Sequence, residues 1–407
     1  MANFDHIRIG SVEEDRLIPV MPFDTFVLSF CADTPKGTSV EVQARVRLAG
    51  GELSGWFSWG LWSPFIDRHS INSADDLAAL DTDTLTVKGG RLADGVQVRA
   101  LLNANAEGQT PVLHSVHLAV KNTQAACDEP LRARRDAYSP TPCYSQMVRA
   151  PRIGGVICSA TTIAMLLASK GETVLPEEIA LHNYDSAYQG CGNWCFSTAI
   201  AAAYGYEAYV RYATLDDVLE ELENGNAVGA SVSYSNDPNH ERLPYVENAP
   251  CNTPGHLLVL CGFETDAQGK QFAIVHDPAA KENAAVERRY PLEQFLKAWS
   301  NRLIYVVHGP RREGPRFIPE RVNTSLAPAE GEDNFRLLVQ GQPVRLSDGR
   351  FDAAVGWITA RRGGSDAECG FAYGEVTPEG LLHLPGYDGQ PLYAVGNRGT
   401  TCTVNLQ

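Results

Sequence analysis

Along residues 1 to about 125, apolar and polar positions alternate with a period of two. Val40, Val42, Ala44, Val46 and Leu48 carry one stripe, and Val96, Val98, Ala100 and Leu102 a second. Val112, Val116, Leu118 and Val120 carry a third, with His114 on the same face. Successive side chains of a strand point to opposite faces, so this period marks antiparallel sheet with one dry and one wet side. Pro35-Lys36-Gly37 and Gly50-Gly51 supply turns. Several such strands without a helical period predict a β-sandwich over 1–125.

The pattern then changes. Residues 126–142 are polar and charged, with Arg132, Arg134, Arg135, Pro140 and Pro142, and read as a linker. Residues 143–312 mix periods. Apolar spacing predicts helices over 158–170, 194–204, 214–224 and 291–300, and strands over 227–234, 256–263 and 271–276. Helices first and strands later predict an α+β unit, not a doubly wound parallel sheet. A second linker, rich in Pro and Arg, runs from Gly309 to about Asp333. Residues 325–407 read as a small β-rich domain, with strand-like pieces at Ala354–Thr359 and Leu392–Val395.

Composition narrows the class. At 407 residues the chain is too long for one ordinary core, so two or three domains are expected. With 44% hydrophobic and 20% charged residues it is globular. No apolar stretch reaches the roughly 18 residues of a membrane span. A net charge of −15 argues against nucleic acid or an anionic membrane as partner. The N-terminus lacks a basic segment followed by an apolar core, so no secretory signal is expected. Ten scattered cysteines fit reduced thiols, and together these point to the cytoplasm.

Four residues carry candidate chemistry. Cys158 follows Gly154-Gly155 and opens a run in which Ala160, Ile163, Ala164, Leu167 and Ala168 lie at helical spacing. A thiol at a helix N-terminus meets unpaired amide N–H groups and the positive end of the dipole, which favour thiolate. The bland alternative is a buried packing cysteine. His256 precedes the apolar strand 257–263, and Asp277 follows the strand ending at His276. Taken singly, they read as an edge histidine and a turn aspartate before Pro278. Together, in this order, they supply a base for the thiol and an acid to orient the base. Gln146 could donate its side-chain amide to an oxyanion beside the backbone N–H of Cys158, or be a plain loop glutamine.

The segment 142–307 resembles family thirty-nine of the cysteine peptidases, the bacteriocin-leader (double-glycine) peptidases, and within it the stand-alone papain-like bacterial type. The blocks that carry the resemblance are YSQM at 144–147, CSATTIAMLLASKG at 158–171 and YQGCGNWCFSTAIAAAYG at 188–205. GHLLVLCGF at 255–263, HDPAA at 276–280 and RRYPLEQFLKAWSNRLIYVV at 288–307 complete it. GWFSWGLWS at 55–63 and DTDTLTV at 81–87 resemble a β-sandwich module that precedes this domain in secreted bacterial proteins. The resemblance implies a papain-like cysteine peptidase domain over 143–312, flanked by the N-terminal sandwich and the small C-terminal β domain. It implies a catalytic Cys158, His256 and Asp277 with Gln146 at the oxyanion, and no metal or other cofactor. Two departures stand out: Ser159 where the family often has Gly, and no signal peptide.

The implied reaction is hydrolysis of peptide bonds in a peptide or protein substrate through an acyl-enzyme. An acyl transferase or cell-wall amidase would share these residues. A catalytically inert peptide- or glycan-binding protein would not need them. Trp56, Trp59 and Trp62 suggest either a glycan platform on the N-terminal domain or sandwich core; Trp56 and Trp62 share a parity. Cys191 and Cys195 have no partner pair at zinc-finger spacing, so a disulfide or free thiols is expected. Asp216, Asp217, Glu220, Glu221 and Glu223 read as a solvated helix face. Cys261 reads as core, and His276 points away from the Asp277 face.

Overall fold

The computed structural model describes residues 3–14, 16–127, 135–149 and 151–317, then 320–339, 342–343, 356–361, 371–376, 381–383, 392–395 and 400–404. The N-terminal part forms two antiparallel sheets. One has six strands in the order Phe4–Ile9, Val112–Lys121, Thr25–Asp33, Thr84–Val87, Ala78–Asp81, Ser73–Ala74. The other has four, in the order Ile18–Phe23, Ala93–Asn103, Ser39–Leu48, Phe57–Trp62. Their facing side chains share one core, in which Phe26 meets Trp59 and Phe30 meets Trp62 edge-on. The first stripe is buried throughout, from Val40 to Leu48.

The other stripes run out at their ends. Leu102 and Val112 are exposed, and a register shift between Leu113 and Ser115 breaks the third stripe, leaving His114 paired with Asp33 at 2.7 Å. The tryptophan parity fails for a similar reason. Gly60 takes φ of 87° in the middle of its strand, where a Cβ would meet the His69 carbonyl at 2.3 Å. The strand bends there, and both Trp59 and Trp62 turn into the core. Trp56 alone stays half-buried, under the guanidinium groups of Arg45 and Arg99.

The middle part is built on an antiparallel sheet in the order Glu207–Tyr212, Leu303–His308, Val228–Tyr234, Thr253–Thr265, Gln271–His276, Glu287–Pro291. Its central strand is apolar on both sides. Leu257, Val259 and Cys261 join one core with the helices Cys158–Ser169, Pro176–Asn183 and Trp194–Ala203. Leu258 and Leu260 join another with Leu215–Glu223 and Leu292–Ala298. A sheet covered on both faces needs continuous apolar runs, which is what residues 257–261 supply. The expected helices and strands are present within two or three residues of their boundaries. Pro151–Gly154, Pro176–Asn183, Glu207–Tyr212, Glu287–Pro291 and Leu303–His308 are additional elements.

The acidic helix is not wholly solvated. Thr214 and Asp217 cap it reciprocally, and Glu221 is buried against His308 at 2.7 Å. The stretch read as the first linker ends in a strand, Ala137–Tyr138, paired with Phe263 and Gly262. The second stretch packs back: Arg312 Nη2 donates to Ala202 O at 2.8 Å, and Phe317 is buried. The stretch read as linker to about Asp333 also contains the strand Glu320–Pro328, the first of an eight-stranded sheet that runs on to Thr400–Val404. That sheet contains Gly356–Arg361 and Leu392–Val395; residues 354 and 355 of the expected strand lie outside the described residues. No helix among the described residues is long and apolar enough to cross a membrane.

Candidate active site

Cys158 is the first residue of its helix and half-buried. The neighbouring Ser159 faces away, into a buried contact with Ser197 Oγ at 2.8 Å and Tyr305 Oη at 3.0 Å. The departure from glycine is therefore absorbed by packing behind the thiol. The strand Thr253–Thr265 brings His256 and the Leu257 amide to the start of the helix. Burial works against ionising Cys158. Hydrogen bonding and charge from His256, with the Leu257 and Ser159 amides, outweigh it and hold the thiol below its ordinary pKa.

His256 Nε2 lies 2.8 Å from Asp277 Oδ1, with both side chains buried. Burial opposes the imidazolium, but the Asp277 carboxylate, then Cys158, raise His256 well above its usual value. Asp277 shows the same balance in reverse. Burial would raise it; His256, then the Tyr234 and Tyr290 hydroxyls, hold it down. Both hydroxyls donate to Oδ2 at 2.7 Å, and the Ala279 amide donates to Oδ1 at 2.9 Å. The carboxylate is thus saturated with donors, and its position is fixed from three strands and a turn. Three residues spread over 120 positions meet as sulfur, imidazole and carboxylate.

Two stretches of the chain match known families. Residues 138–303 match the Peptidase_C39 like family, and residues 6–120 match the Peptidase C39 N-terminal domain. The chain belongs to the C39-like peptidase family. No curated protein matches it. Among solved structures it is similar to a candidate C39-like peptidase from Bacillus anthracis. The identity is 14%, over 44% of this chain and 100% of that one, with a TM-score of 0.32, too slight a likeness to bear on the site.

Within this C39-like chain Gln146 is not an exposed loop residue. It is buried, its amide N–H bonds Pro278 O at 2.8 Å, and its side-chain Oε1 has no hydrogen-bond partner. The tether runs to the residue after Asp277. Gly154 permits it, since a Cβ there would meet Gln146 O at 2.7 Å.

A second thiol–imidazole pair lies elsewhere in the C39-like domain, and the sequence analysis did not single it out. Cys143 Sγ is 3.8 Å from His276 Nε2, which is 3.3 Å from Glu287 Oε2. It is not poised the same way. Burial, then Glu287, raises Cys143, and burial lowers His276. No helix starts at Cys143. His276 points away from Asp277, as the strand period predicts, and Cys261 is core. Cys191 and Cys195 are free and buried, and burial drives Cys191 up to about 12.

Cys31, His117 and Glu207 bring three potential ligand atoms within 4.8 Å of one another. Ser115 Oγ already bonds His117 Nε2 at 3.0 Å and Glu207 at 3.2 Å, and Arg8 Nε bonds Glu207 at 2.7 Å. Cys31 bonds the Ala208 carbonyl at 3.3 Å. These groups satisfy one another, so the donor set does not call for an ion.

Proposed function

We propose that the chain is a cysteine peptidase that hydrolyses peptide bonds through Cys158, His256 and Asp277 on a papain-like arrangement. The observation that carries it is the buried 2.8 Å contact between His256 and Asp277, with Cys158 hydrogen-bonded to the same imidazole. His256 holds the Cys158 proton as an ion pair. The thiolate attacks the scissile carbonyl carbon, and the carbonyl π electrons move onto oxygen. The Cys158 amide and Gln146 side chain receive that oxyanion. Gln146 is buried, and its backbone is tied to Pro278, the residue after Asp277, which favours this role for its side-chain N–H donors. The intermediate collapses, the C–N bond breaks, and His256 gives its proton to the leaving amine. Water, deprotonated by His256, then releases the acyl group from sulfur.

On this reading the N-terminal sandwich spans about 1–125, the catalytic domain 143–312, and a C-terminal β domain 325–407. Catalysis needs the thiolate and the imidazolium together. Activity should therefore rise as pH climbs through the lowered Cys158 pKa and fall as pH climbs through the raised His256 pKa. Both limbs belong to the coupled pair. The test is alkylation by iodoacetamide at pH 6, read by mass spectrometry. Cys158 should react at least about tenfold faster than Cys143, and Cys158→Ala should lose hydrolysis of a casein digest while keeping its melting profile. Equal labelling of the two thiols would sink the reading.

A further inference from the structure

Between the helices Pro176–Asn183 and Trp194–Ala203 the chain makes a turn held shut at every side. Asp185 N donates to Gly190 O at 2.9 Å, and Gly190 N donates back to Asp185 O at 3.3 Å. Gln189 sits at φ of 58°, a left-handed conformation that a non-glycine residue keeps only where its surroundings over-determine it. The Asp185 carboxylate is buried and takes four donors: the amides of Ser70 (3.0 Å), Ala187 (3.0 Å) and Tyr188 (3.2 Å), and Asn193 Nδ2 (2.9 Å).

Much of this restraint comes from the N-terminal sheets. Ser70 and Arg68 lie in the loop between their strands Phe57–Trp62 and Ser73–Ala74, and the Arg68 carbonyl accepts from Ser186 N at 2.9 Å and Ser186 Oγ at 3.0 Å. Asp83 accepts from Trp194 N at 2.6 Å, at the start of the following helix. Trp59 Nε1 in turn bonds the Asp83 carbonyl at 2.9 Å. Both ends of the turn are thus fixed by residues about a hundred positions earlier.

Tyr188 stands out from this rigid turn and is 53% exposed. Its ring lies over Gly190 and Gly192, where a Cβ would come within 3.0 Å of it. Between those two glycines the Cys191 carbonyl accepts from Ser197 Oγ at 3.4 Å, and Ser197 Oγ lies 2.8 Å from the hydroxyl of Ser159, the residue next to Cys158. A large ring held outward on over-determined backbone that is tied through Ser197 to the start of the Cys158 helix is suited to contact a substrate, because little ordering cost remains on binding.

We propose that Tyr188 contacts the substrate and selects an apolar side chain next to the scissile bond, and that the N-terminal sheets, through Ser70 and Asp83, position it. The inference rests on the Cys158 reading above. Asp83 is a positioning residue; it acts on the substrate only through the turn.

The test uses the full chain and two affinity labels, acetyl-Leu and acetyl-Gly chloromethyl ketone. In each the thiolate forms a C–S bond and chloride leaves. Each rate is divided by the same protein's rate with iodoacetamide, which reports the thiol alone. The wild type should prefer the Leu label by about tenfold, the size of one apolar side-chain contact. Tyr188→Ala should bring that ratio close to one, and Tyr188→Phe should keep it. Asp83→Ala should lower it in the same direction, and Asp83→Asn, whose carbonyl still accepts from Trp194, should restore it. A wild-type ratio near one, or a ratio unchanged in Tyr188→Ala, overturns the role of Tyr188. A ratio unchanged in Asp83→Ala overturns the positioning by the N-terminal sheets. Slow iodoacetamide labelling of Cys158 sinks the catalytic reading instead, and the label ratio still reports on Tyr188.

Discussion

At the scale of single residues, the site is a contest between desolvation and local charge. Every member is buried enough to resist ionisation, and each is held ionised by its neighbour. Asp277 anchors the set. Asp277→Asn keeps an acceptor but loses the charge that sustains the imidazolium, so turnover should fall by about 10²-fold. The alkaline limb of the pH profile should move to lower pH, because the raised His256 value depends first on that carboxylate. A steady-state pH series on the variant checks both. The sequence carried Cys158, His256 and Asp277 through their order and their places at element ends. It gave no warning of Tyr234 and Tyr290, whose hydroxyls saturate the carboxylate. A tyrosine in an apolar strand looks like core, and nothing local says where its hydroxyl points. Gln146 was legible as a candidate, but its burial was not, since that depends on the tether to Pro278.

At the scale of elements, strong caps and long apolar runs were readable, and short connecting pieces were not. Thr214 with Asp217, and Asn193 accepting from Phe196 at 3.0 Å, mark helix starts by side-chain chemistry that any local window contains. The helix Pro176–Asn183 lies behind a proline and two glutamates and has almost no apolar stripe. It is nonetheless buried along its length. Tertiary packing stabilises it, and one contact matters more than its propensity. Glu177 and Arg149 form an ion pair 3.3 Å apart with both side chains fully buried. Removing one partner strands the other charge, so Glu177→Ala should destabilise the chain by about 3–5 kcal/mol in denaturant melts. The same pair steadies the loop carrying Gln146, since Arg149 N bonds Gln146 O at 3.1 Å. Residual activity in the folded variant should fall as well.

At the scale of the whole molecule, the N-terminal sheets and the C39-like domain share one hydrophobic core. The strand Thr25–Asp33 is buried on both faces: one covers the sandwich interior, and the other meets Glu207–Tyr212, where Val210 N bonds Ser29 Oγ at 3.0 Å. Asp83 lies on the N-terminal side of this junction, and burial raises it to about 7. Its folded pKa exceeds the unfolded value of 3.8, so the folded state holds the extra proton. Stability should therefore be lost as pH rises from about 4 through 7. Asp83→Asn should remove that slope: its melting temperature should exceed the wild type's at pH 8 and converge with it at pH 4. Period two and helical spacing, read along the chain, determined which segments are strand and helix and which three side chains could form a relay, because those signals are local. The tertiary structure alone decided that both faces of Thr25–Asp33 are covered and that Gly60 turns a second tryptophan inward. It also decided that loops from the first 120 residues hold the turn between the helices Pro176–Asn183 and Trp194–Ala203. Those outcomes depend on contacts between residues a hundred or more positions apart, which no window of sequence contains.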